Sequence, residues 1–262
     1  MSTVTAWIVT NNEWNVLRRT VEFNAQHDWI ENIVILHGDD SEPSYMNSLS
    51  KKFNKVFEYW QCFGGRGDNP KAKFEFSFVP AVEDGGWNEL KHRNACLEIA
   101  EQYGSDYLLA IDTDEVFMDN TYEMIDIDAD VVYFEFNTWI YKNAIKKYPV
   151  SREGLRRIHP RAWKNNGTRY RAHAQPIPNY KNQNLHVWPW MPKVKSITMS
   201  TPQDLRLQHL HHMFESKRDS NYNNYPEEKL LLVDYKWPHY IRDIFIEEQT
   251  NMNYGQKISV GI

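Results

Sequence analysis

The chain has 262 residues, 41% hydrophobic and 14% aromatic, with a formal net charge of −5 at pH 7. That is enough apolar material for a full core, in one large domain or two small ones, and the charge argues against a general nucleic-acid binder. Two cysteines, Cys62 and Cys96, make neither a disulfide framework nor a metal spacing, so reduced thiols in a cytoplasmic setting are expected. The N-terminus has no signal-peptide pattern and no run reaches the length of a membrane span, so a soluble protein is expected.

Val4 to Val9 reads as a short apolar strand ending in Thr10-Asn11-Asn12-Glu13. Trp14 to Gln26 follows as a helix with Leu17 and Val21 inward, then Ile33 to Leu36 as a second buried strand ending in His37-Gly38-Asp39-Asp40-Ser41. Strand, helix and strand at this spacing form a βαβ unit with parallel strands and a right-handed crossover. Polar residues at each strand's carboxyl end suit the ligand crevice of an open α/β sheet. Tyr45 to Phe53 reads as a helix and Val56 to Tyr59 as a strand. The glycines of Gly64-Gly65-Arg66-Gly67-Asp68 fit no P-loop or dinucleotide fingerprint and read as a surface turn.

Asn88 to Asp119 is the most informative stretch. Asn88 to Tyr103 has the spacing of an amphipathic helix, broken by Gly104 and Ser105. Tyr107 to Ile111 is almost wholly apolar, as in a strand buried on both faces of a parallel sheet. The polarity then flips to Asp112-Thr113-Asp114-Glu115. Three carboxylates in four positions repel unless a cation or solvent lies between them. In an extended segment Asp112 and Asp114 share a side, so both can face one Mg²⁺ or Mn²⁺ ion, with phosphate oxygens completing its shell. An acidic turn that merely caps the next element is the plain alternative.

Beyond it, Val131 to Asn137 reads as one strong strand, with Trp139 and Tyr141 following. From Lys142 to Lys181 there are eleven Lys or Arg against one acid, Glu153. Such a block is either a solvated loop or a surface for phosphates or an anionic acceptor. Pro176, Pro178, Pro189 and Pro192 punctuate an irregular, Trp-rich stretch that suits acceptor-side loops, where Trp188 to Met191 could stack a sugar or simply be buried. Leu205 to Leu210 alternates as a strand and delivers His209, His211 and His212. Helices are expected at Phe214–Tyr225 and Tyr240–Glu248. No internal repeat is evident.

These residues resemble an inverting glycosyltransferase of the GT-A fold, family 2. The resemblance rests on Thr10-Asn11-Asn12-Glu13, the Asp39-Asp40-Ser41 turn, Arg93-Asn94 and Asp112-Thr113-Asp114-Glu115, in that order, and covers roughly residues 4–120. It implies an α/β fold: a GT-A (Rossmann-like) mixed sheet flanked by helices, with a C-terminal acceptor-side extension. Its glycosyltransferase domain would occupy 1–215, with a nucleotide-sugar half at 1–120 and an acceptor half at 121–215. A helical extension would occupy 216–262.

By the same resemblance, Thr10, Asn12, Glu13, Asp39 and Asp40 bind the base and ribose of a nucleotide-diphosphate sugar, with UDP the expected nucleotide. Arg93 approaches the donor or holds the acidic turn. Asp112 meets ribose or metal and Asp114 binds Mn²⁺ or Mg²⁺, with His209 first and His211 next as the histidine completing the shell. The cation offsets charge on the departing diphosphate. Inverting transfer also needs a base for the acceptor hydroxyl. Where similar sequences carry a His-Glu pair this one has His173-Ala174-Gln175, so His173, Glu135 or another acid serves, or the stereochemical course differs.

The acceptor is either a glycan, lipid-linked sugars included, or a hydroxylated base in phage-type DNA. A non-catalytic nucleotide- or sugar-binding module on the same fold is the competing reading, supported by Gln175. A nucleotidyltransferase is disfavoured, because no Gly-rich, basic triphosphate loop follows the first strand.

Overall fold

The computed structural model describes residues 2–10, 13–37, 43–61, 89–124, 129–135, 137–141, 144–146, 158–172, 187–190, 196–199, 207–210, 213 and 230–232. The first part alternates strands and helices: β1 (Val4–Thr10), α1 (Trp14–Ala25), β2 (Asn32–His37), α2 (Pro43–Phe53), β3 (Val56–Gln61), α3 (Glu89–Glu101) and β4 (Tyr107–Ile111). Each expected element of this part is present within a few residues. Pro43 opens α2, where a missing N–H leaves no helical bond unmade, and Lys51 and Lys52 sit in its last turn, at the negative end of the helix dipole. Gly104 stops the chain after α3 with φ +67, a left-handed conformation that suits glycine.

Then come β5 (Glu115–Phe117), a 3₁₀ turn at Asp119–Met124, β6 (Val131–Glu135), β7 (Asn137–Tyr141), β8 (Ala144–Lys146) and β9 (Ile158–Lys164). After these the described strands are β10 (Arg169–Ala172), β11 (Val187–Trp190), β12 (Ser196–Met199), β13 (Leu207–His209) and β14 (Leu230–Leu232).

A seven-stranded sheet runs in the order β12-β6-β9-β4-β1-β2-β3. β1 pairs in parallel with β2 and β4, and β2 with β3. β9 enters antiparallel between β4 and β6, and β12 is parallel to β6. The architecture is therefore mixed α/β, a mixed parallel and antiparallel sheet flanked by helices. A five-stranded sheet, β14-β8-β7-β13-β5, and the pair β10-β11 complete the described strands.

Near-continuous apolar runs along the central strands bury both faces. Val4, Ala6 and Ile8 of β1, with Ile33 and Ile35 of β2, pack with Leu17 and Val21 of α1 and Met46 and Leu49 of α2. On the opposite face Trp7, Val34 and Leu36 pack with Cys96, Leu97 and Ala100 of α3. Trp7, Trp163 and Tyr170 meet edge to face there, with ring centroids 5.7–6.1 Å apart. Each such ring removes apolar area worth about 1.5–3 kcal/mol.

Several expectations are corrected. The single strand expected from Val131 to Asn137 is two: β6 belongs to the large sheet and β7 to the five-stranded one. The basic stretch Lys142 to Lys181 is no simple loop, since it supplies β9 at the heart of the large sheet. The aromatic stretch near Trp188 forms β11, paired with β10. Leu230–Leu232, inside the stretch expected to be a helical extension, is a strand on β8. The helices expected at 214–225 and 240–248, the glycine loop at 64–68 and Cys62 lie outside the described residues. No helix among the described residues is long and apolar enough to cross a membrane.

Candidate functional site

In the large sheet β2 and β3 lie on one side of β1 and β4 on the other. Crossovers that leave in opposite directions open a crevice at the carboxyl ends of the strands between them, the usual ligand position in open α/β sheets. Ile8 is in register with Ile111, so Thr10 runs on beside the turn that follows β4. Thr10 is 1% exposed, and its hydroxyl has no hydrogen-bond partner among the described residues.

The Asp112-Thr113-Asp114-Glu115 segment is a tight turn between β4 and β5, closed by Glu115 N–H donating to Asp112 O at 3.0 Å. Asp112 N–H donates back to Glu115 Oε2 at 3.1 Å. Two arginines grip the turn. Arg93 of α3 donates from Nη2 to Asp112 Oδ1 at 3.0 Å. Arg161 of β9 donates from Nη2 to both Asp112 Oδ2 and Glu115 Oε1, each at 2.6 Å. Burial alone would raise the Asp112 pKa, but Arg161 and Arg93 outweigh it and hold this carboxyl well below the usual range. Burial pushes Glu115 up to about 7, with Arg161 opposing. Arg93 also lies over the Tyr170 ring, 5.5 Å from its centroid.

The far side of the turn is held by α1. Thr113 donates its hydroxyl to Glu13, and the Thr20 hydroxyl donates to Thr113 O at 2.5 Å. Asn24 donates to Glu115 O and accepts from Phe117 N–H, both at 2.9 Å. His27 places Nδ1 2.6 Å from Asp119 and Nε2 against Phe117 O. Residues 13, 20, 24 and 27 recur at helical spacing, so one polar stripe of α1 and its flanks runs along the turn and β5.

Asp114 is the acid of the turn that takes part in none of these arginine contacts. β13 pairs with β5 so that His209 faces Glu115 in register, and Leu210 N–H donates to Asp114 O at 2.7 Å. His209 Nε2 then lies 3.7 Å from Asp114 Oδ1. Its Nδ1 is 3.4 Å from the Thr138 hydroxyl, a contact that leaves Nε2 turned toward the acid. A carboxylate oxygen suits Mn²⁺ or Mg²⁺, and an imidazole nitrogen beside it favours a transition ion such as Mn²⁺ over Mg²⁺. Among the described residues no group of three or more His, Cys, Asp or Glu is placed to hold a metal ion; a cation at Asp114 and His209 would take the rest of its shell from ligand oxygens or water.

The structure thus brings together Thr10, Glu13, Arg93, Asp112, Asp114 and His209 along one edge. Asn12, Asp39, Asp40, His173 and His211 lie outside the described residues. Glu135 ends β6 in register with Ile158, but its side chain is not among those described. Sequence reading missed Thr20, Asn24, His27 and Arg161. The first three were legible as polar residues on the face of α1 that carries Leu17 and Val21. Arg161 was hidden in a basic stretch taken for a surface. Within it Lys164 pairs with Asp130 at 3.4 Å, and Arg169 grips Glu101 at 2.5 and 2.7 Å.

No family model matches the sequence, and no curated protein matches it. Solved structures resemble the chain at low identity. TarS 1-349 of S. aureus is 12% identical with a TM-score of 0.44, over 99% of this chain and 75% of that one. A mannosyltransferase of Pyrobaculum calidifontis, in complex with GDP-Man and Mn²⁺, is 12% identical with a TM-score of 0.35, over 53% of this chain and 36% of that one. A 4-diphosphocytidyl-2C-methyl-D-erythritol synthase is 12% identical with a TM-score of 0.38, over 63% of this chain and 76% of that one.

Proposed function

We propose that this chain is a metal-dependent glycosyltransferase of the GT-A type that moves a sugar from a nucleotide-diphosphate donor to a hydroxyl acceptor. The observation that carries the reading is the approach of His209 to Asp114, 3.7 Å apart, on a turn that the arginines fix at the carboxyl ends of the parallel strands of the large sheet. Asp114 and His209, with His211 as the further candidate, would hold the cation. Bound there, it would offset charge on the leaving nucleoside diphosphate.

The chain's own residues do the remaining work. The buried Thr10 hydroxyl, with Asn12, Glu13, Asp39 and Asp40, would hydrogen-bond base and ribose. Asp112, ionised and fixed by two arginines, offers its outer lone pairs to a ribose hydroxyl or to the cation. His173 or Glu135 would take the acceptor proton. The donor half is assigned to residues 1–120 and the acceptor half to 121–215, with 216–262 an extension, in a cytoplasmic setting. The acceptor is a glycan or a hydroxylated DNA base. Binding to DNA would weaken steeply with salt, and transfer to a neutral sugar would not.

Incubation with UDP- and GDP-hexoses in Mn²⁺ tests the reading. The expected result is slow release of nucleoside diphosphate, quickened by the right acceptor and lost in EDTA. Donor binding with no release under any acceptor would instead favour the binding module that Gln175 suggests. Pyrophosphate release from a nucleoside triphosphate would overturn both in favour of a nucleotidyltransferase.

A further inference from the structure

Arg161 belongs to the basic stretch yet is buried, its side chain only 8% exposed. β9 presents it in an unusual way. On the β6 side Val132 pairs with Ala162 and Tyr133 with Pro160, so Arg161 is the extra residue of a β-bulge. On the β4 side the pairing with β9 ends at Leu109 and Ala162, one residue short of Arg161. A bulge re-aims the side chain it carries. Here the guanidinium is turned onto the end of β4, where Nη2 meets Asp112 and Glu115 at 2.6 Å each. With the Asp112 N–H bond to Glu115 Oε2 at 3.1 Å, these contacts close a ring around the two ends of the turn. Asp114 lies between them in the turn.

We propose that Arg161 is a positioning residue: by tying Asp112 to Glu115 it sets the turn geometry that presents Asp114 to a cation. The inference deepens the donor-site reading above and rests on it. Its described carboxylate contacts are with Asp112 and Glu115, so it bears on Asp114 through the turn. Both bonds leave from Nη2 at the end of a rigid planar group; a lysine ammonium, a rotating point charge on a flexible stem, does not hold the two carboxylates in one fixed geometry.

The test is calorimetric titration of UDP, or of GDP if UDP gives no heat, in Mn²⁺ and in EDTA, with urea unfolding of every variant. Arg161→Met with Glu115→Gln removes the buried partner charge along with the arginine and is designed to restore the unfolding midpoint that Arg161→Met alone lowers. Arg161→Lys keeps the charge and loses the rigid plane that carries Nη2. Outer contacts of this kind set metal affinity over roughly a tenfold range or more.

The expected result is Mn²⁺-dependent nucleotide affinity about tenfold weaker in both Arg161→Lys and the double variant, with the smaller affinity in EDTA unchanged. Wild-type affinity in either variant, once it is folded, would make Arg161 merely structural and overturn the proposal. No Mn²⁺-dependent binding in wild type would overturn the donor-site reading itself, a result distinct from wild-type binding that survives the substitutions.

Discussion

His209 Nε2 stands 3.7 Å from Asp114 Oδ1, wider than a hydrogen bond and within the span of two ligands on one ion. With ligand distances of about 2.0–2.1 Å for Mg²⁺, neighbouring ligands lie about 3 Å apart and opposite ones about 4 Å. His209→Ala is therefore expected to weaken Mn²⁺-dependent nucleotide binding by about tenfold or more, with little effect on binding in EDTA. Calorimetric titration of both proteins with and without the cation checks this.

The polar stripe of α1 predicts a stability effect apart from chemistry. Asn24 is fully buried and bonds both Glu115 O and Phe117 N–H at 2.9 Å. Asn24→Ala removes the partner of one buried acceptor and one buried donor. The expected cost is about 2–4 kcal/mol in urea unfolding.

How much of this was legible beforehand depended on distance along the chain. Residues 4–61 and 89–111 show local signals: short continuous apolar runs as strands, helices between them and a glycine stop at Gly104. Those signals do not depend on partners, and the elements follow them closely. The acidic run was legible for the same reason, since Asp112 and Asp114 follow a buried strand, but the extended segment expected there is a tight turn.

The grip on that turn was not legible. Arg161 lies 49 residues from Asp112 along the chain, and only the insertion of β9 between β4 and β6 makes it a neighbour. Charge counting placed it on a surface, because basic residues are seldom buried without a partner. The partner was the acidic turn itself. Likewise the run Val131 to Asn137 has the pattern of one strand, and nothing local marks where the chain leaves one sheet for another.

Tyr45 gives a pH prediction. Its single hydroxyl proton is shared between Arg18 O at 2.9 Å and Glu22 Oε2 at 3.0 Å. Burial first, then the Glu22 carboxylate, raises its pKa above the ordinary value. The folded state holds this proton more tightly than the unfolded chain, so the contribution is present below the unfolded value, about pH 10, and is lost as pH rises beyond it. Tyr45→Phe should flatten the loss of stability above that pH, as read from unfolding midpoints across an alkaline series.

Gly104 isolates a backbone effect. Its φ is +67, and a Cβ built there would meet nothing within 4 Å. Gly104→Ala should cost about 1–2 kcal/mol from conformation alone, and Gly104→Asn less. Thermal unfolding of the pair measures the difference.

The central claim is that Asp114 holds a divalent ion through which a nucleoside diphosphate binds. A thermal-shift comparison of wild type and Asp114→Ala, with UDP or GDP and with or without Mn²⁺, tests it most directly. Ligand binding to the native state alone raises the melting temperature. The account predicts a shift in wild type that needs nucleotide and Mn²⁺ together and vanishes in the variant. An equal shift in Asp114→Ala, or none in wild type with any nucleotide, would contradict it and leave the turn between β4 and β5 an acidic cap held by its arginines.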